Sequence, residues 1–507
     1  MGFDPLGFDP PNLFLVHLPV GCCQPRNFMN DPKRKTYWLE TYGCQMNKAE
    51  SGYLEYELQS HGWTPVQKPE EAETVILNTC SVRKTAEDRI WGRLGFFKAQ
   101  KKNHSFRLVL MGCMSERLKE EILNEAPHVD LLVGNFQKHR LVDVLDQGDA
   151  FPEAAAQEDR EAAPQRAPQQ PPQRASDRAH QEAHLVDPGE YRFAERHSLS
   201  GFQAFLPVMH GCNNFCTYCI VPYVRGAEVS RSPRSILAEI RRLQEPEGSS
   251  GQAIREITLL GQNVNSYSYR EQHGTILTFP ALLRLIVPVL RDRTWLRFLT
   301  SHPKDMSDEL IELIASEPAL CRHIHLPVQH GSNRILQAMG RKYTRQHYLD
   351  LVARIRKTIP EVSLTTDILI GFPGEGEEDY RLTLELMRQV GFEDAFTYRY
   401  NPREGTRAFE LGDDVPESLK QERLSGVIDL QRRITREAKK HKLGRTVEVL
   451  VEGVSKKNSG ELLARTEGDE MVVFPGSPRL IGTFARVRLQ SLRGSTFRAE
   501  TIEADGA

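Results

Sequence analysis

MHGCNNFCTYCIVPYVRG, residues 209–226, sets Cys212, Cys216 and Cys219 in the spacing CxxxCxxC. Three thiolates on so short a loop suit three corners of a cubane iron–sulfur cluster and leave the fourth iron without a protein ligand, open to chemistry. Two other uses of these thiols compete. Structural zinc takes four ligands, commonly as two paired sets; no second pair lies near, although His210 offers a fourth ligand. A disulfide across so tight a loop strains its geometry and leaves one thiol over.

Immediately before the loop, QAFLPVMHG (203–211) reads as the strand that delivers the chain into it. Five more strand-like runs follow: EITLLG (256–261), WLRFLTS (295–301), HIHLPVQ (323–329), SLTTDILIG (363–371) and AFTYRY (395–400). Helical stretches such as SILAEIRRLQ (235–244) and DYRLTLELMRQV (379–390) separate them. Six βα units in series predict a parallel, partial (β/α)6 barrel whose active mouth lies at the strand C-termini. Polar residues gather at those ends: Gln262 and Asn263, Ser301 and His302, Gln329 and His330, with Asp367 inside the fifth run. Singly each reads as a turn or cap residue. As a set facing the cysteine loop they suit a polar small molecule. Glu377, Glu378 and Asp379 read as charges at a helix N-terminus.

Nearer the N-terminus a βα alternation begins at Lys35. TYWLET (36–41), ETVILN (73–78) and RLVLM (107–111) read as strands, and just past each stands a cysteine: Cys44, Cys80 and Cys113. Alternating β and α units build a parallel sheet whose C-terminal edge collects ligands. These cysteines are distant in sequence, but the fold brings them to one rim as a second three-thiolate site. The plainer reading makes each a small buried hydrophobe. After VDLLVG (129–134) and one more helix, residues 147–190 turn rich in Ala, Gln, Pro, Arg and Glu, too poor in bulky apolar groups to offset the entropy of ordering. This segment reads as a flexible linker, and residues 1–34, with GFDP at 2–5 repeated at 7–10, as a disordered N-terminus.

The chain of 507 residues carries a net charge of −2, too near balance to speak for or against a nucleic-acid partner. No apolar run approaches membrane-spanning length, so no membrane association is expected. Nine scattered cysteines fit a reducing compartment better than a disulfide framework. Cys22, Cys23 and Cys321 read as ordinary thiols, the last in the core at a strand start. Acidic residues stand where an Arg-rich transit peptide belongs, so no targeting signal is evident.

QRRITREAKKHKLGR (431–445) carries seven Lys or Arg against one Glu. A solvated helix face is the usual meaning of such a run. Here it precedes five short alternating stretches, TVEVLVEG (446–453), ELLART (461–466), EMVVF (470–474), FARVRLQ (484–490) and FRAETI (497–502), which predict a small RNA-binding β-barrel. Lys456, Lys457, Arg465, Arg486 and Arg488 are its candidate phosphate contacts.

The motifs GCNNFCTYCIVPYVRG, GQNVNSY (261–267), TSHP (300–303), LPVQHGS (326–332), TTDILIGFPGE (365–375) and TYGCQMN (41–47) together resemble radical-SAM methylthiotransferases of the MiaB type, across about residues 35–503 apart from the linker. Within that family the chain looks most similar to the eukaryotic branch named after a cyclin-dependent-kinase regulatory subunit. The resemblance implies a tRNA-modifying enzyme that converts isopentenyladenosine beside the anticodon to its 2-methylthio form. It implies two 4Fe-4S clusters, one on Cys212, Cys216 and Cys219 and an auxiliary one on Cys44, Cys80 and Cys113, with S-adenosylmethionine (SAM) held near Tyr218, Gln262, Asn263, Ser301, Gln329 and Asp367. The implied partners are a tRNA anticodon stem-loop, an electron donor and a kinase regulatory subunit, for a monomer working in mitochondria, with the cytosol as the alternative compartment. The implied division is an auxiliary-cluster domain (35–146), a radical-SAM domain (191–440) and a TRAM RNA-binding domain (441–507). Methylthiolation of threonylcarbamoyl-adenosine, and a kinase-regulatory interaction protein without catalysis, are the competing functions. Two positions depart from the family pattern: His330 replaces a common serine, and MGRKYT (339–344) a more usual MRRGYT.

Overall fold

The computed structural model describes residues 35–82, 84–147, 193, 201–245 and 253–504. The GFDP repeat, Cys22, Cys23 and the linker beyond Gln147 lie outside the described residues. Two compact units are present. The first holds the described N-terminal residues together with Tyr223–Arg225; the second holds Gly201–Pro222 and everything from Gly226 onward.

In the first unit, strands β1 (Thr36–Thr41), β2 (Thr64–Pro65), β3 (Thr74–Thr79), β4 (Arg107–Gly112) and β5 (Leu131–Val133) form a parallel sheet in the order β2-β1-β3-β4-β5. Successive side chains on a strand point to opposite faces, and here both faces are buried. Ile76, Val109 and Met111 pack with Leu54, Leu58 and Leu141 on one side. Val75, Leu77, Leu108 and Leu110 pack with Ile90, Leu94 and Phe97 on the other. Burial on both sides explains the continuous apolar runs of β3 and β4. It also puts β1 and β4 on either side of β3, so the three strands that end in cysteine are neighbours.

In the second unit, β6 (Gln203–Pro207) leads to β7 (Met209–His210), which pairs with β8 (Val229–Ser230) around the cysteine loop. β9 (Glu256–Leu260) follows, then the hairpin β10 (Ser268–Arg270) and β11 (Ile276–Thr278). β12 (Trp295–Leu299) completes a parallel sheet in the order β12-β9-β6, and β13 (His323–His325), β14 (Ser363–Ile370) and β15 (Asp394–Arg399) form a second one. The six barrel strands thus exist but fall into two three-stranded halves, bridged by one parallel contact between Leu296 and Leu320. The expected strand 323–329 is shorter than its sequence pattern. Pro327 has no N–H to give to a ladder, and the Thr366 hydroxyl takes over, accepting from Val328 N at 2.9 Å and donating to Leu326 O at 2.9 Å.

The chain then runs through the helix Glu417–Lys440 into β16 (Thr446–Val454), β17 (Glu461–Thr466), β18 (Met471–Pro475), β19 (Phe484–Arg493) and β20 (Thr496–Ala504), a closed barrel in the order β16-β17-β18-β20-β19. Its core is the alternating set Val449, Val451, Leu462, Ala464, Val472, Phe474, Val487 and Leu489. Phe484 and Leu450 pack with Trp295, Phe202 and Cys321, which fixes the barrel against the start of the central strands and places Cys321 in a core. Among the described residues, no helix is long and apolar enough to cross a membrane.

Candidate functional site

At the rim of the N-terminal sheet, two glycines make the cysteine placement possible. Gly43 and Gly112 have φ of +127° and +105°, and each precedes a cysteine. A Cβ on Gly112 would stand 2.4 Å from Thr79 O, and one on Gly43 would stand 2.4 Å from the Cys80 Cβ. The backbone must come this close for β1, β3 and β4 to present their thiols together. Gly112→Ala is therefore expected to cost about 2–4 kcal/mol through strain and overpacking, seen as a fall in Tm together with reduced iron content after reconstitution. An unchanged Tm would contradict the close approach.

Asn47, fully buried, ties the rim together. Its Nδ2 donates to Tyr42 O at 3.1 Å and to Thr79 O at 2.9 Å, while its Oδ1 accepts from the Cys44 thiol at 3.4 Å. On the far side Asn135 Nδ2 reaches Cys113 Sγ at 3.6 Å. Burial first, and then the neighbouring Cys44 and Cys113 thiols, push the Cys80 thiol up to about 12. Cys44 and Cys113 are thus near enough to bear on Cys80, and iron binds cysteine as thiolate, displacing the proton. Ser115 Oγ, two residues past Cys113, is buried with no partner; such a hydroxyl is a ready donor to a cluster sulfide.

The second triplet lies on the loop after β7. Gly211, at φ +76°, allows the chain to pass so near Ala227 that a Cβ would stand 1.9 Å from its carbonyl oxygen. Cys212 N donates to Gly226 O at 3.1 Å, Cys219 N to Cys216 O at 2.9 Å, and Thr217 N to Met339 O at 3.0 Å, which hold the loop in shape. Burial, followed by the charge of Cys216, pushes the Cys219 thiol up to about 12, and Cys212 is raised by burial and by Cys219. Among the described residues no group of three or more His, Cys, Asp or Glu is arranged to hold a metal ion. A cubane asks for a different arrangement, one thiolate on each of three irons, so the sulfurs stand at separate corners rather than converging on a point.

Around this loop the expected cofactor residues divide. Val264 N donates to Thr300 O at 2.8 Å, which sets the ends of β9 and β12 side by side. There Gln262 Oε1, Asn263 Oδ1 and Ser301 Oγ are buried without a partner. Buried polar atoms are nearly always paired, so three orphans at neighbouring strand ends fit a ligand rich in N–H and O–H donors. Gln329, at φ +68°, accepts through its carbonyl from Leu369 N at 2.8 Å and donates its own N–H to Asp367 O at 2.9 Å. The Asp367 carboxylate lies 3.5 Å from His325 Nε2. Tyr218 packs against the apolar cluster that holds Met339, Phe372 and Tyr400.

Four polar groups near these sites had no signal in the sequence. Arg341, in the altered MGRKYT stretch, donates to Cys216 Sγ at 3.3 Å and to Pro327 O at 2.9 Å; the preceding Gly340 sits at φ +70°. Arg225 and Glu50 pair at 2.8 Å, buried, in the first unit. Burial alone would raise Glu50, but Arg225 and then Lys138 bring it down to about 2. Its folded value is depressed, so this contribution to stability is present above the ordinary carboxylate range and is lost as pH falls toward about 2. Glu375 is the fourth: with no side-chain exposure, it accepts from Gly371 N at 2.6 Å and pairs with Arg423 at 3.0 Å and His330 at 3.2 Å. His330 therefore belongs to an internal network. Glu377, Glu378 and Asp379 do open a helix, Glu377–Val390, and Asp379 also accepts from Ser332 Oγ at 2.6 Å.

The basic features of the C-terminal part are less free than their charge suggests. Arg465, expected to meet phosphate, is instead shared among Glu256 at 2.8 Å, Glu452 at 2.7 Å and Asp469 at 2.5 Å. In the run 431–445, Lys439 is buried, Lys442 pairs with Glu393 and Glu470, and Arg445 pairs with Glu361. Arg433 and Arg436 are exposed on the helix, and Lys456, Lys457, Arg486 and Arg488 on the barrel.

Family profiles match three stretches: "Uncharacterized protein family UPF0004" at 36–134, "Radical SAM superfamily" at 206–387 and "TRAM domain" at 440–502. A tRNA-2-methylthio-N(6)-dimethylallyladenosine synthase from Treponema denticola is 48% identical over 476 residues, covering 92% of this chain and 99% of the relative. One of the same name from Bacteroides fragilis is 44% identical over 473 residues, covering 92% and 96%. Among solved structures, the radical S-adenosylmethionine methyltransferase TsrM from Kitasatospora setae, with cobalamin and a [4Fe-4S] cluster bound, shares the fold with a TM-score of 0.51 at 15% identity, over 74% of this chain and 77% of that one. With two rims of three thiols, a parallel-strand mouth and relatives matching along almost its whole length, the chain belongs to the radical-SAM tRNA methylthiotransferases.

Proposed function

We propose that this chain methylthiolates isopentenyladenosine in tRNA, exchanging the C2–H bond of the adenine for C2–S–CH3. When bound, the two clusters and SAM supply the electron transfer, radical, sulfur and methyl group for that exchange. The protein's residues hold and orient. Cys212, Cys216 and Cys219 would hold one cluster, three thiolates that leave it open to SAM. Gln262, Asn263 and Ser301 accept from SAM's donors, with Gln329 and Asp367 on the opposite half-sheet. Cys44, Cys80 and Cys113 hold the auxiliary cluster. An external reductant completes the system.

The observation that carries this reading is the pair of thiol triplets, one past the ends of three parallel strands and one on the single loop after β7, in a chain aligned end to end with synthases of one name. The test is nucleoside mass spectrometry on tRNA incubated with reconstituted protein, SAM and dithionite. The expected product is the 2-methylthio form of isopentenyladenosine. Conversion of threonylcarbamoyl-adenosine alone would overturn the substrate assignment.

On the barrel, Lys456, Lys457, Arg486 and Arg488 are the proposed phosphate contacts. Replacing Arg486 and Arg488 by Gln is expected to weaken tRNA binding and to reduce its log–log salt slope by roughly 2, from two lost contacts. Arg465→Gln is expected to act on stability instead, costing about 3 kcal/mol because Glu256, Glu452 and Asp469 lose the cation they share and only Arg297 stays on the buried Glu256. Filter binding across a salt series and thermal melting separate the two; an unchanged slope in the double variant would remove Arg486 and Arg488 from the interface.

A further inference from the structure

Arg225 is 3% exposed, and an arginine so deeply buried needs a reason. Its guanidinium donates to both Glu50 oxygens, at 2.8 and 3.4 Å, and to Asn47 Oδ1 at 3.4 Å. Asn47 Oδ1 is also the acceptor for the Cys44 thiol at 3.4 Å. The carbonyl of the preceding residue, Val224, accepts from Asn135 Nδ2 at 2.6 Å, and the same amide group contacts Cys113 Sγ. The segment Val224–Arg225 is thereby tied to the first cysteine of the rim through one asparagine and to the third through another. Glu50 in turn is held by Lys138, so two cations share one carboxylate and the local balance is positive. Burial pulls the Arg225 pKa down, and its charged and polar surroundings, Glu50 among them, more than reverse this.

We infer that Arg225 is a positioning residue of the auxiliary site: locked on Glu50, its guanidinium is the fixed positive charge that offsets the thiolates of Cys44, Cys80 and Cys113. The inference rests on the reading that these cysteines hold a cluster. A four-iron cluster on three thiolates becomes more negative when it accepts an electron, and nearby charge is one of the levers on its potential. A cation one hydrogen-bonded residue away from Cys44 therefore favours the reduced form. The rim also acquires a hydrogen-bonded frame, Asn47–Arg225–Glu50, that keeps Cys44 facing its partners.

The test uses the full-length chain with Cys212, Cys216 and Cys219 replaced by alanine, so that the auxiliary cluster is titrated alone by EPR-monitored redox titration. In that background Arg225→Gln is expected to lower the midpoint by about 59 mV or more, a tenfold change in reduced fraction for one electron. Glu50→Gln, which leaves the cation in place, is expected to raise it, and Arg225→Lys to stay near the parent. Because Arg225→Gln leaves the buried Glu50 with Lys138 as its one remaining cation, the double variant Arg225→Gln/Glu50→Gln serves if the single one does not fold, with a midpoint below that of Glu50→Gln alone. Arg93→Gln, which removes an arginine bound to Glu40 in the same unit, is expected to leave the potential unchanged. Coincident midpoints in the Arg225 and Glu50 variants, or an equal shift in Arg93→Gln, would overturn the inference. A purely structural role would lower iron content without opposite-signed shifts. Absence of any cluster in the parent, seen as no iron and no signal, would instead overturn the auxiliary-site reading itself.

Discussion

Cys216→Ala is expected to abolish reductive cleavage of SAM and, with it, all tRNA methylthiolation. Cys216 is the middle thiol of the loop after β7 and takes a side-chain hydrogen bond from another segment, from Arg341 at 3.3 Å. Losing it leaves two thiolates for a cluster that needs three, so the iron that would carry SAM is lost too. The effect exceeds the roughly 10–100-fold that removal of an outer partner costs, which is the loss expected for Arg341→Ala. The fold should survive: Cys216 is only partly buried, and the loop is held by backbone bonds from Cys212, Thr217 and Cys219. The measurement is 5′-deoxyadenosine released per chain by chromatography. Wild-type amounts from the variant would remove this loop from the chemistry.

The second large effect divides the reaction. Cys80→Ala is expected to leave SAM cleavage in place while ending formation of the methylthio product. Cys80 lies in the first unit, at the end of the central strand of the rim, buried between Cys44 and Cys113. As a small buried side chain, its truncation costs on the order of 1 kcal/mol in packing, so a stable but sulfur-incompetent protein should result. Deoxyadenosine release and nucleoside mass spectrometry, run on the same sample, check both halves. Product formation by the variant would show that the rim is not the source of sulfur; loss of both activities would show that the two sites are not separable.

Much of the architecture was legible because burial leaves a period in the sequence. TYWLET is the strand Thr36–Thr41 to the residue, and ELLART the strand Glu461–Thr466, since each alternates or fills a face that the sheet buries. The cysteine rim was legible for the same reason: once β1, β3 and β4 are parallel neighbours, the residues just past their ends must share an edge. Partnership between distant charges leaves no period. Nothing local to Arg465 shows that Glu256, more than two hundred positions earlier, will take its charge, and an arginine on a strand beside a basic run looks like an RNA contact until that pairing is seen. Arg225 was hidden in the same way. In PYVRG nothing local marks a partner for it, and only the fold brings Glu50 and Asn47 to it. The break after His325 was written in the sequence as Pro327, but its effect depends on Thr366 supplying the replacement bonds from another strand. The role of Gly340, where the family pattern has an arginine, lies in backbone conformation, a quantity that residue type alone suggests and only φ shows.

The central claim is that each thiol triplet holds its own cluster, and counting iron and acid-labile sulfide tests it most directly. Anaerobically reconstituted wild-type chain should carry about eight irons and eight sulfides, two four-iron clusters. The variant lacking Cys44, Cys80 and Cys113 and the variant lacking Cys212, Cys216 and Cys219 should each carry about four. Eight irons remaining in either triple variant, or none in one of them, would contradict two independent three-cysteine sites.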